Sequence, residues 1–464
     1  MTLTDWLGEA VAAIRRWEAS WGPYAPHPAL ALDEARLGAV LEDYAEHLGG
    51  NYPFFHPHYA GQMLKPPHPA AVVGYLAAQL INPNNHALDG GPPTAAMEKD
   101  VVRALAAMFG LPADGLGHLT SSGTIANLEA LWIARELHPG RRVVFSEEAH
   151  YTHARMGQVL GLDTAALPAD AAGRLDLDAL EDALAAGGIG TVVLTAGTTG
   201  LGAVDPVEDA LALCRRHGAR VHVDAAYGGF FALLAGGDRS PLGPEARRHL
   251  RAIAGADSVV IDPHKHGLQP YGCGCVLFRD AAVGRFYRHD SPYTYFTSGD
   301  LHLGEISLEC SRAGAAAGAL WFTLQLFPLE AGEGMGPVLA ACRRAALRWH
   351  ALMEESAHVA PLVAPELDLV TYFPRGARTV SGVDATAQRL FERAMQDPAA
   401  PLFLSVLRTP AARLRAAAPH LEADAAQARV LRSVLMKPEH EHAVEALHAH
   451  VEALAAENQP APRA

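Results

Sequence analysis

Five short apolar runs, at 141–145, 191–194, 220–223, 258–261 and 273–278, constrain the fold of this 464-residue chain more than any other feature. They are rich in Val and flanked by polar turns, the pattern of strands buried on both faces. Between several of them, at 125–137, 177–186 and 206–217, apolar residues recur at helical spacing. Alternation of this kind specifies an α/β domain with a mostly parallel sheet and helices on its faces.

The rest of the chain divides around that domain. Leu3, Trp6, Leu7, Ala10, Ile14 and Trp17 share one face of a terminal helix, which docks either on its own domain or on a partner subunit. Pro and His crowd 52–69, which reads as an ordered loop. From Gly314 to about Ser356 the pattern is helical with a break near 327–336, followed by a strand at 367–373, a helix, a strand at 402–407, and a last strand and helix from Arg432 onward. The expected organisation is an N-terminal helical segment (1–52), a large α/β domain (53–328) and a smaller C-terminal α+β domain (329–464), with residues 458–464 disordered.

Bulk properties exclude several classes. The formal charge of −14 disfavours non-specific nucleic-acid binding, which depends on Lys and Arg neutralising phosphates. The apolar stretches at 70–81 and 313–327 are shorter than the roughly 20 residues that span a bilayer, and read as core helices. Five scattered cysteines make no disulfide framework, no targeting segment is visible at the N-terminus, and no metal-ligand spacing stands out; a reduced, cytoplasmic protein is expected.

Open α/β sheets bind ligands beyond the carboxyl ends of their strands. Four strand ends here lead into polar residues: His150 after Phe145, Gly197-Thr198-Thr199-Gly200 after Leu194, Asp224-Ala225-Ala226-Tyr227 after Val223, and Asp262-Pro263-His264-Lys265 after Ile261. In a parallel sheet these converge on one crevice. Alone, Lys265 reads as a loop lysine and Asp224 as a helix cap or structural carboxylate. Together they match pyridoxal 5′-phosphate (PLP), which needs a lysine amine for a Schiff base and a carboxylate to keep its pyridine nitrogen protonated. The turn Thr120-Ser121-Ser122-Gly123-Thr124 opens a helix, where backbone N–H groups and hydroxyls suit a phosphate; a plain N-cap is the competing reading.

The stretches SSGTIANLEAL (121–131), SEEAHYTHARMGQVLGL (146–162), TAGTTGLGAVDPV (195–207), HVDAAYGGF (222–230) and ADSVVIDPHKHGLQPYGCG (256–274) resemble the fold-type-I PLP enzymes of the group II amino-acid decarboxylases, and in motif the archaeal tyrosine/aspartate decarboxylases. The resemblance implies decarboxylation of an L-amino acid to an amine and carbon dioxide, through an internal aldimine on Lys265 and a quinonoid intermediate. It implies that Asp224 pairs with the ring nitrogen, His150 stacks on the ring, Ala226 packs on its other face and Thr199 lies near O3′. Ser122, Gly123 and Thr124, with Ser258 and His264, would hold the phosphate. Asp262 replaces the Asn of animal members, and a carboxylate is unfavourable beside a phosphate, so Asp262 is expected to point elsewhere. Tyr293, Tyr295 or His264 would reprotonate the α-carbon, although a packed aromatic turn accounts equally for the two tyrosines.

Substrate contacts are open. Gln62 and Lys65 stand where relatives carry residues near the substrate, and Arg312 and Arg432 resemble arginines that take a carboxylate. For Lys65 a surface position, and for Arg432 a strand edge, are the alternatives. Family members are homodimers with a shared site, which implies a partner loop such as 86–94. Two rivals remain: another PLP reaction on the same site (transamination, or carbon–carbon cleavage as in sphingosine-phosphate lyase), and a non-catalytic α/β binding protein.

Overall fold

The computed structural model describes residues 1–237, 239–288 and 307–457. Its centre is a seven-stranded sheet: β1 (Leu116–Thr120), β2 (Arg142–Ser146), β3 (Thr164–Leu167), β4 (Ile189–Thr195), β5 (Arg220–Asp224), β6 (Ser258–Ile261) and β7 (Gly274–Phe278), in the order β1-β7-β6-β5-β4-β2-β3. The β2–β3, β2–β4, β4–β5 and β5–β6 pairs are parallel, whereas β7 runs antiparallel to both neighbours. The Val-rich runs are buried along their whole length in β4, β6 and β7, as helices covering both faces require.

All five expected strands are present within a residue or two. Two more, β1 and β3, escape the apolar criterion. The first carries buried Gly117 and His118, and the second is a short, half-exposed edge strand.

A second, antiparallel sheet follows: β8 (Val359–Pro361), β9 (Leu369–Pro374), β10 (Ser405–Pro410) and β11 (Gln427–Val434), in the order β10-β11-β9-β8. The apolar run at 402–407 predicts β10 three residues early. Leu402 and Phe403 instead donate their N–H groups to Ala394 and His58, so pairing with β11 starts at Ser405. The break at 327–336 separates helices Gly314–Leu326 and Met335–Glu355, with Pro328 inside it.

The helix Pro69–Ile81, expected in the core, buries only Ala71 and Gly74 and leaves Leu80 and Ile81 about half exposed. It packs against helix Gly314–Leu326, where a Cβ on Gly74 would come within 3.2 Å of the Ala319 backbone, so the two helices touch closely there. The terminal helix Leu3–Ala19 packs against Pro69–Ile81 but buries none of its residues, and helix Glu34–Gly49 likewise buries none. Among the described residues no helix is long and apolar enough to cross a membrane.

Candidate active site

The parallel strands bring their carboxyl ends to one side, and a cavity of about 200 Å³ opens there. Ser122, Gly123, Thr124, His150, Thr199, Asp224, Ala226, His264 and Lys265 all line it. Asn127, Thr152, Thr195, Gly197, Tyr227 and Asp262 complete the wall.

The turn after β1 meets the helix Gly123–Leu137 at this cavity, and Ser122 caps that helix, its Oγ accepting from the Ile125 N–H at 3.3 Å. N–H groups in a first helical turn have no intrahelical acceptor, so the cap presents donors to an anion. Gly123 is required there: a Cβ would lie 2.5 Å from Asp262 Oδ2.

Asp224 ends β5 and is buried. Burial alone pushes its carboxyl up, but the hydrogen bond from His153 and the field of His153, Lys265 and His222 outweigh it, and the net shift is strongly downward. Asp224 therefore stays ionised at any working pH. Burial holds both His150 and His264 below the usual histidine range, so each is neutral near pH 7.

Asp262, expected to turn away, faces the catalytic lysine candidate instead: its Oδ2 lies 3.0 Å from Lys265 Nζ. The amine is the nearest cation, and only 3% of the carboxylate side chain is exposed, so it depends on that pairing.

The turn that carries Lys265 is tied down from below. The ring nitrogens of His266 face the Tyr227 carbonyl at 3.0 Å and Asp368 Oδ2 at 2.7 Å, while Tyr227 Oη donates to Asp368 Oδ1 at 2.6 Å. Asp368 directly precedes β9, so this buried cluster joins the lysine turn to the second sheet.

Other sequence candidates lie outside the cavity. Ser258 is buried one layer beneath it, with its Oγ 2.9 Å from His222 Nδ1. Arg312 is engaged by Glu98 at 2.6 Å and by the carbonyls of Leu119 and Asn85. Lys65 is half-buried and donates to the Met436 carbonyl, just past the end of β11, at 3.1 Å. Gln62 is exposed. Arg432 is 4% exposed and donates through Nη1 to Ser405 Oγ and the Gly61 carbonyl. Tyr293 and Tyr295 lie outside the described residues.

Sequence reasoning missed His153, which bonds Asp224, and Asn127 and His222, which bond each other at 2.8 Å. His153 had a signal: with Met156 and Leu160 it sits at i, i+3, i+7, the inward face of helix Thr152–Leu160.

The wall suits PLP. Thr195 Oγ1, Asp262 Oδ1 and His264 Nδ1 are buried polar atoms without protein partners, so the cavity is built for a polar occupant. An ionised carboxylate, a lysine amine, an imidazole and a helix N-terminus are the groups that a protonated pyridine, an aldehyde, an aromatic ring and a phosphate each require.

Comparison with known proteins agrees. The family described as "Pyridoxal-dependent decarboxylase conserved domain" matches residues 27–357. The L-tyrosine decarboxylase of Enterococcus faecium is 28% identical over 76% of this chain and 75% of its own length. The probable L-tyrosine/L-aspartate decarboxylase of Methanothermobacter thermautotrophicus is 30% identical over 60% of this chain and 73% of its own. In fold, the Oryza sativa TDC crystallised with PLP and tryptamine superposes with a TM-score of 0.78 over 98% of both chains, at 22% identity. The chain belongs to the pyridoxal-dependent decarboxylase family and is a PLP-dependent amino-acid decarboxylase.

Proposed function

We propose that Lys265 holds PLP covalently, that Asp224 keeps its ring nitrogen protonated, and that the enzyme decarboxylates an L-amino acid bound through a carboxylate to Arg432. The observation that carries this reading is the convergence of Lys265, Asp224, His150 and the Ser122–Thr124 turn on one cavity from four separate strand ends. PLP, when bound, supplies an electron sink for the pair left at the α-carbon as carbon dioxide departs. The chain's own groups do the rest. His150 and Ala226 offer a flat neutral ring and a methyl group between which an aromatic ring is held. The N-cap turn and His264 would take the phosphate, and Thr199 would serve O3′. Lys265 Nζ would be the group that holds the cofactor and exchanges with the substrate amine. Tyr293 or Tyr295 delivers the proton to the α-carbon, because His264 is neutral near pH 7.

Arg432 is the best supported of the four substrate candidates. Its Nε and Nη2, the edge of the guanidinium that grips a carboxylate with two parallel bonds, are buried without partners. Screening L-amino acids for carbon dioxide and a primary amine tests the reaction; release of an α-keto acid or an aldehyde would overturn it. Arg432→Leu should raise KM for the preferred substrate by about 10- to 100-fold, the weight of one or two charge-assisted hydrogen bonds. An unchanged KM would remove Arg432 from the substrate site.

The assembly is a homodimer in which residues 1–52 form an arm and the 86–94 loop completes the partner's site. Leu37, Val40, Leu41, Tyr44 and Leu48 form an apolar stripe on helix Glu34–Gly49, and all are exposed in a single chain. Light scattering should give twice the chain mass for the wild type, falling to one chain for the double variant Leu41→Glu, Leu48→Glu. A wild-type protein already at 49.2 kDa would refute the dimer.

A further inference from the structure

The carboxylate at the end of β5 has to keep its charge and its orientation while buried, and both depend on what donates to it. Among the described residues two groups do. Asp224 Oδ1 accepts from the Ala226 N–H at 3.1 Å, and Oδ2 accepts from His153 Nε2–H at 2.9 Å. The first bond comes from the backbone and survives any substitution. The second is the contribution of a single side chain.

His153 is fully buried and does not line the cavity. Its Nδ1 has no partner, so the ring proton belongs on Nε2, where it meets a carboxylate oxygen. The ring cannot swing away. The Phe145 ring stands 5.8 Å from it, centroid to centroid, and His222 stands 6.4 Å away, nearly edge-on. His222 is itself fixed by Asn127 Oδ1 and Ser258 Oγ, and Asn127 Nδ2 donates to the Gly123 carbonyl at 2.9 Å. A connected layer of polar side chains thus runs under the cavity floor from the ring-nitrogen carboxylate to the phosphate turn.

We infer that His153 is a positioning residue for the reaction: it fixes the Asp224 carboxylate from beneath, and through that carboxylate holds the proton on the ring nitrogen of the cofactor. The inference rests on the assignment of Asp224 proposed above. The hydrogen bond from His153 is also the largest influence that lowers the carboxyl's proton affinity against its burial.

A ring analogue separates this role from mere packing. In 1-deaza-PLP a C–H replaces the pyridine nitrogen, so anything His153 contributes through Asp224 to that nitrogen disappears. Dissociation constants of PLP and of 1-deaza-PLP would be measured by tryptophan fluorescence on the full-length apoprotein, as wild type and as His153→Leu, which is close to imidazole in volume. The wild type should prefer PLP. His153→Leu should lose about tenfold or more in PLP affinity, the weight of a hydrogen bond to a charged group, and less than about twofold in 1-deaza-PLP affinity. Equal losses for the two ligands would overturn the inference and leave His153 a packing residue. If the leucine variant does not fold by circular dichroism, His153→Phe carries the same comparison. A wild-type protein with no preference for PLP would instead refute the Asp224 assignment itself, a result distinct from a preference that survives loss of the imidazole.

Discussion

Replacing Lys265 with alanine is expected to give a folded protein that no longer retains PLP through borohydride reduction and turns over at least about 10³-fold more slowly, since the covalent anchor and the amine that exchanges with substrate and product go together. The turn does not depend on the amine for its shape. The His264 N–H donates to the Cys273 carbonyl, the Lys265 N–H to the Asp262 carbonyl, and His266 is clamped by Tyr227 and Asp368. Reduction of the wild type followed by peptide mapping should place the label on residue 265. Two other lysines make this a real test. Lys437 is pulled down to about 8 by burial and by its neighbour Lys65, and burial also lowers Lys65. A lysine that gives up its proton easily is a usual Schiff-base former. Neither lines the cavity, however; both are spent on backbone carbonyls, of Tyr59 and Met436. Location decides for Lys265, and label on either of the others would sink the assignment.

The second large effect is expected at Asp224. Asp224→Ala removes the carboxylate proposed to face the ring nitrogen and leaves the His153 N–H unpaired in the interior. Breaking a buried charge pair costs about 3–5 kcal/mol, which spent on the transition state is roughly 10²- to 10⁴-fold in kcat. Because the role proposed for the carboxylate is on the electron sink and not on the substrate, KM should move far less than kcat. A drop in kcat of under about tenfold would show that the ring nitrogen is not served from this position.

Much of this was legible in the residues. Val-rich runs gave the parallel strands because burial on both faces leaves little room for polar side chains, and the residues that line the cavity follow at their ends. What stayed hidden was long-range pairing. Nothing near Ser258 in the chain shows that its hydroxyl is taken by His222, or that Arg312 is held by Glu98. Nothing near Lys65 in the chain shows that its partner is the Met436 carbonyl, 371 residues away. Asp262 was judged by the phosphate it would repel, and the sequence gives no way to weigh that against an amine three residues on. The edge strand β3 and the polar β1 owe their state to neighbours in the sheet, not to their own composition.

The contact between His266 and Asp368 also bears on recombination between relatives. A chimaera that took its antiparallel sheet from a homologue lacking an acid at 368 would inherit an imidazole N–H and a phenol, each with its acceptor deleted, directly under the turn that carries Lys265. Crossovers placed ahead of Glu366, whose carboxylate receives the Val204 N–H at 2.6 Å and also pairs with Arg174, would likewise sever partners on the other side of the junction. Functional shuffling of this scaffold therefore requires the 366–368 segment to travel with residues 174, 204, 227 and 266 as one heritable block.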